Sequence, residues 1–263
     1  MKHIYLRELK LNLKTLVIWS FTVGLMGLAC MLTFKTMKND IEEMGDMFSG
    51  MGAFSDAFGM STLSIATLKG FFATEVGTVH GLGGAMFAAL MAIGIVSKEE
   101  DRHSGEFLLS LPVSRSKVLA AKGLCVLSVL VLFTVVCGLL YLSGFFILGE
   151  HVPGKELFTF LVCQMLMNIE IAGICFLVSA LSTRIKTGAG LGIALIFYVY
   201  DIVGRVVPDL KDYLFMGPFS YANASEIMAG EKTPVKAVVT GLIITIICVA
   251  TAFYGYNKRD LAS

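Results

Sequence analysis

Six long apolar segments divide the chain, and each is long enough to cross a lipid bilayer as a helix. A spanning helix needs about 20 mainly apolar residues. Backbone polar groups in hydrocarbon must bond within the segment, which favours α-helices, and the alternation typical of a membrane β-barrel is absent. The predicted spans are residues 16–34, 71–96, 118–148, 157–181, 188–207 and 237–256. We therefore predict an all-α polytopic membrane protein, with residues 1–263 forming one transmembrane domain.

Composition and charge place this domain in a membrane and orient it. The chain is 56% hydrophobic and 16% charged, whereas soluble domains are about 25% charged. Thirteen of the 21 Lys and Arg side chains lie in the N-terminal segment, around the loops that follow the second and fourth spans, and in the C-terminal segment. Because basic residues concentrate on the cytoplasmic side, we expect both termini to be cytoplasmic in a multi-pass protein of the plasma membrane.

Residues 1–14 form an amphipathic segment ahead of the first span. Ile4 and Tyr5, then Leu9 and Leu13, recur near helical spacing between basic side chains. Such a helix lies in the membrane interface with its apolar side in the lipid. We expect an elbow helix at the cytoplasmic surface.

The loop between the second and third spans is the most unusual stretch of the sequence. It begins with acidic residues, continues into a short apolar face, and reaches Pro112, which stops a helix at or before the preceding residue. We predict a cytoplasmic helix at about 99–112. From the residues alone, its apolar face packs either on lipid headgroups and the protein's own helices or in a socket of another protein. The predicted contact residues are Glu99, Glu100, Glu106, Phe107, Leu108, Leu111 and Arg115.

This loop resembles the coupling helix of the type-2 permeases of ATP-binding-cassette (ABC) exporters. From Glu106 to Arg115 it reads Glu-Phe-Leu-Leu-Ser-Leu-Pro-Val-Ser-Arg, and Lys122 follows in the third span. The family pattern has acidic residues, a similar Glu-to-Arg run and a Lys at that place. Ser104 stands where family members often have Thr, a mild departure. The length, six spans, cytoplasmic termini and elbow also fit, which extends the resemblance to the whole chain.

The resemblance implies a transport subunit driven by a partner. Two permease chains, expected to be identical copies, would form the export pathway, and two ABC ATPase subunits would bind ATP and Mg and drive it. The chain itself has no G-x-x-x-x-G-K-[ST] motif, so we expect no enzymatic activity and no bound cofactor. The glycine-rich stretch 188–192 is expected to serve close helix packing. Apolar walls favour hydrophobic or amphipathic cargo (a peptide, drug or lipid), and we expect a bacterial source.

Several polar residues fall inside predicted spans. A lone carboxylate such as Glu170 costs roughly 3 kcal/mol at the membrane centre, so it should face protein or water. Gln164 and Asn168 share a helix face, but Glu170 lies about 200° from Asn168 around the axis. They cannot all line one pathway, so one face should be a helix contact. Two roles fit Glu170: a substrate or proton site in the pathway, or a structural hydrogen bond. His80 could serve either packing or a ligand.

Two further patterns concern ions. Asp201 and Arg205 are spaced to pair with each other on one helix. The histidines at 3, 80, 103 and 151 are too scattered in the sequence to predict a metal site.

Two other classes of membrane protein remain as alternatives. An intramembrane serine hydrolase would need Gly-x-Ser-Gly, and the sequence around Ser143 lacks the first glycine. A glutamate-type membrane protease would need Glu-Glu-x-x-x-Arg within a span, whereas Glu99, Glu100 and Arg102 have another spacing and lie in a loop. A channel would have no use for a coupling loop. An exporter permease should co-purify with an ATPase, which distinguishes it from both.

Overall fold

The computed structural model describes residues 1–49, 51–57, 59–101 and 113–258, which are helical or irregular, with no strand among them. Six helices are long and apolar enough to span a membrane, which confirms the predicted all-α class with six candidate spans. These are α1 (Lys2–Ser49), α3 (Leu68–Ile93), α5 (Arg115–Leu148), α6 (Gly154–Leu181), α7 (Thr187–Val206) and α9 (Val235–Lys258). Short helices α2 (Ala53–Ala57), α4 (Lys98–Asp101) and α8 (Ala224–Met228) and a 3-10 helix (Pro208–Met216) connect them.

The predicted elbow is not a separate helix, because α1 continues from Lys2 to Ser49 without a break. No glycine or proline stands between residues 1 and 23 to interrupt it. The contacts of α1 with α5 nevertheless differ along its length. Tyr5 donates to Ser128 and Asn12 lies against Cys125, while the carbonyl of Ser20 accepts from Cys137. The first turns therefore cross α5, and the later turns run alongside it.

Helix α6 lies at the centre of the bundle. It packs against α3 on one side and α9 on another, while α1 packs along α5. Aromatic rings fill the space between α3, α5 and α6: Phe72 contacts Tyr141, Phe145 and Phe160 at ring-centroid distances of 5.5 to 5.7 Å. Gly84 allows α3 to approach α6, because a Cβ there would lie 2.9 Å from the Asn168 side chain.

The segment between α7 and α9 folds back into the bundle. After the 3-10 helix, Phe219, Tyr221 and Ala222 are buried, and α8 follows with Ile227 and Met228 also buried. The Asn223 side chain caps α8 by accepting from the Glu226 backbone N–H at 3.0 Å. The predicted spans end at residue 207 and resume at 237, whereas residues 217–228 between them are part of the core. Helix α1 likewise continues to Ser49, beyond the predicted end of the first span at residue 34.

Candidate functional site

A buried ion cluster joins α1, α4 and α5 at the end of the bundle that adjoins the predicted coupling loop. Lys122, in the second turn of α5, has no solvent exposure. Its ammonium group donates to Glu99 at 2.5 Å and to the carbonyl of Ile95, and it lies 3.6 Å from Glu8. Lys98 forms a second ion pair with Glu8. Two acidic and two basic side chains thus neutralise one another.

The same end of α3 is also fixed to α6. The Ser179 hydroxyl accepts hydrogen bonds from the backbone N–H groups of Val96 and Ser97, at 3.0 and 3.2 Å. Buried backbone N–H groups need hydrogen-bond acceptors. The Ser179 hydroxyl oxygen is the acceptor for both of these N–H groups, just after α3 ends. The short segment from Ile95 to Asp101 is therefore bonded to α1, α5 and α6 together.

The structure places only part of the predicted coupling surface. Glu99 belongs to the ion cluster, and Glu100 and Arg115 are partly exposed on either side of the gap between α4 and α5. Four other predicted contact residues lie outside the described residues: Glu106, Phe107, Leu108 and Leu111. Sequence reasoning missed Glu8 and Ser179. An acidic residue on the apolar side of an otherwise basic N-terminal segment was the available signal for Glu8.

The predicted intramembrane polar residues are all buried within this one chain. The Gln164 amide donates to the carbonyl of Ala222 at 2.9 Å, and Asn168 contacts the backbone of α3 near Gly84. His80 lies 3.0 Å from the Tyr141 hydroxyl. Its ring stacks on Phe133 with centroids 5.5 Å apart. Gln164 and Asn168 thus fill the contacts of α6 with the folded-back segment and with α3, and His80 fills a contact of α3 with α5.

Glu170 points in another direction, towards α9. The Tyr221 hydroxyl donates to its carboxylate at 2.8 Å, and a Cβ at Gly241 would lie 2.3 Å from the same oxygen. The glycine therefore makes room for the carboxylate at the α6–α9 contact. Gln164 and Glu170 both hold the folded-back segment against α6, since each forms a hydrogen bond to it. No pattern in the sequence pointed to Tyr221.

An ion pair closes the other end of the bundle. Arg205 binds Asp201 on the same helix at 2.8 and 3.2 Å, which confirms the predicted pair. It also donates to Glu226 at 2.6 Å. The contact ties α7 to α8.

The glycine-rich stretch at the start of α7 was expected to serve close helix packing. Within the chain, the structure shows such packing at one of its glycines. A Cβ at Gly190 would meet Ile93 at 3.0 Å, whereas Gly188 and Gly192 face open space. These two glycines do not approach any described part of the same chain.

These features define a helical membrane domain with charged contacts at both ends. A family model described as ABC-2 family transporter protein matches residues 3–261, nearly the whole chain. The chain therefore belongs to the ABC-2 family of transporter proteins, a family of multi-pass permeases of ABC transporters that associate with an ATPase subunit. No match was found among curated proteins.

Proposed function

We propose that the chain is the permease subunit of an ABC exporter, in which two identical copies form the pathway and two separate ABC ATPase subunits bind ATP and Mg. The family match over residues 3–261 carries this proposal. The ion cluster supports it, because buried charges lie directly beside the loop that resembles a coupling helix. In this arrangement the energy for transport comes from the partner subunits.

The ion cluster connects that loop to the spans, so that a movement of the loop can be transmitted to them. Breaking a buried ion pair by removing one partner costs about 3–5 kcal/mol, so Glu99 and Lys122 should move as one unit. Glu8 adds the first turns of α1 to this unit through Lys98 and Lys122. A displacement of the loop by the ATPase would therefore move α1 and α5 together.

The exposed surface of α7 supports a second copy of the chain as partner. Only Gly190, Ala194 and Gly204 are buried on this helix. Gly188 and Gly192, which are open, have the small-x-x-x-small spacing that lets two membrane helices approach closely. The apolar side chains that continue this exposed surface are Leu195, Ile196, Val199 and Val203.

Hydrophobic or amphipathic cargo (a peptide, drug or lipid) fits these apolar surfaces. Glu170, Gln164, Asn168 and His80 are at most 2% exposed. Their contacts are with helices and the folded-back segment of the same chain, so we assign them to packing. A pathway at the α7 surface would then be lined by apolar side chains.

Co-purification tests the proposal. The permease is expressed with its ABC ATPase, captured by an affinity tag, and tested for ATPase retention and hydrolysis. We expect stoichiometric retention by the wild type. Leu108→Asp and Leu111→Asp should release the ATPase or uncouple hydrolysis from transport, because a charge on the predicted apolar contact must be desolvated.

Leu11→Asp is the matched control. It adds the same charge at an exposed leucine of α1, and it should leave the ATPase bound. If the ATPase is not retained by the wild type, the permease function is refuted, and a channel or an intramembrane hydrolase becomes the better description. If Leu108→Asp and Leu111→Asp remain fully coupled, the coupling contact is assigned wrongly.

A further inference from the structure

An apolar groove runs between α5 and α9, with α6 as its floor. The cavity measures about 430 Å³, within the range of about 300–1,000 Å³ typical of ligand pockets. Ala172 and Gly173 make the floor deep, and Gly123, Leu127 and Phe253 form parts of the walls. Among the residues that the structure describes, no charged side chain lines the groove.

Thr245 is the one polar side chain in the described part of the lining, and its hydroxyl is already bonded. The Thr245 hydroxyl donates to the carbonyl of Gly241 at 2.8 Å. The lining therefore offers apolar contact and no hydrogen bond to a ligand.

The lining residues on the three helices all lie at about the same distance from the helix ends. At a rise of 1.5 Å per residue, its lining begins about 7 Å from the basic ends of α5 and α9 and from the neighbouring end of α6, and it extends to about 20 Å. One leaflet of the hydrocarbon core is about 15 Å thick. In the proposed topology the groove thus spans most of the cytoplasmic leaflet.

The rim of the groove on that side is basic. Lys117 on α5 and Lys258 on α9 are exposed. Ser116 and Asn257, their chain neighbours, are within hydrogen-bond distance of each other across the two helices. The basic ends of α5 and α9 are therefore in contact there. The Lys258 ammonium lies over the Tyr254 ring and donates to its hydroxyl within the last turns of α9. A basic side chain near an anionic membrane surface gains about 1 kcal/mol from the lipid charge.

We propose that this groove binds an acyl chain of an anionic phospholipid from the cytoplasmic leaflet, with the headgroup phosphate at Lys117 and Lys258. The proposal rests on the topology of the proposed permease. The length of the groove matches one leaflet, its lining is apolar, and its charge lies where the headgroup would be.

Native mass spectrometry of the permease tests this assignment. The protein is reconstituted in vesicles of equal parts phosphatidylglycerol and phosphatidylcholine, extracted in mild detergent, and scored for retained lipid. We expect one phosphatidylglycerol per chain. Gly123→Leu should lower its retention about tenfold, because the new side chain fills the groove; a Cβ at this position meets Phe176 no closer than 3.7 Å, so the fold tolerates it.

Leu139→Phe, on the same helix but outside the groove and 61% exposed, should retain the lipid. Replacing both lysines, Lys117→Gln with Lys258→Gln, should remove the preference for phosphatidylglycerol over phosphatidylcholine. Undiminished retention in Gly123→Leu, equal loss in both groove and control variants, or no lipid preference in the wild type would each overturn the proposal. The assay contains no ATPase, so its result is independent of the co-purification test.

Discussion

Lys122 is a lysine with no solvent exposure, and its charge must be neutralised where it lies. The residue reaches the Glu99 carboxylate and the Ile95 carbonyl directly, and Glu8 stands 3.6 Å away. Burial disfavours a lone ammonium group by several kcal/mol, and paired carboxylates offset that cost. The same pairing makes the site sensitive to the loss of one member.

We predict that Lys122→Met destabilises the protein by about 3 kcal/mol. The variant removes the Lys122 ammonium group from Glu99, while Glu8 keeps Lys98. Thermal unfolding in detergent measures the change. Adding Glu99→Gln should recover part of the loss, because the carboxylate charge is then removed as well.

The control for this prediction is Lys14→Met, at an exposed lysine of α1. It should change stability little, because exposed charges contribute less than about 1 kcal/mol. Equal destabilisation by both variants would show that the ion cluster contributes nothing specific.

Spacing along α6 predicted that Asn168 and Glu170 lie on different faces of the helix. It did not predict which residues each side chain contacts. The 200° between Asn168 and Glu170 follows from helix geometry, and the structure places the two on different neighbours, α3 and α9. That Glu170 meets Tyr221 depends on a segment 51 residues further along the chain. Spacing within one helix contains no information on such a contact.

At the scale of elements, α7 is the shortest of the six spans. Only 17% of its apolar stretch is buried, a low fraction that it shares with α9. Hydropathy predicts α7 as a span because lipid and the protein interior both favour apolar side chains. For the same reason hydropathy could not tell whether a face contacts lipid, its own chain or a second copy.

We predict that Gly192→Leu weakens dimerisation of the permease while leaving the single chain folded. A side chain at this position meets no described atom of its own chain, but it would separate two helices that approach through small residues. Size-exclusion chromatography with light scattering measures the oligomer.

Gly154→Leu provides the same substitution at another open glycine, at the start of α6. It should remain dimeric. A dimer of unchanged stability in Gly192→Leu would exclude the start of α7 from the interface.

At the scale of the whole molecule, charged contacts at both ends enclose an apolar middle. The Lys122 cluster lies at one end, and the Arg205 contacts with Asp201 and Glu226 lie at the other. The two clusters restrain different helices, α1 and α5 at one end and α7 and α8 at the other. Relative movement of the two groups would therefore leave both clusters intact.

We predict that both termini are cytoplasmic, because most Lys and Arg side chains lie at that end. A fluorescent protein that folds only in the cytosol, fused after Ser263, should be bright in cells. A periplasmic phosphatase fused in the connection at Gly149–Pro153 should be active. The reverse pattern would invert the topology and place the proposed lipid groove in the other leaflet.

The sequence by itself determined the number and type of the spans and the family resemblance. Long uncharged runs can satisfy their backbone in lipid only as helices, so local composition is sufficient for this. Tertiary structure alone decided which polar groups meet. Glu8 with Lys122, Gln164 with Ala222 and Glu170 with Tyr221 are pairs far apart in the chain, brought together by helix packing. The fold-back of residues 217–228 arises from the same contacts.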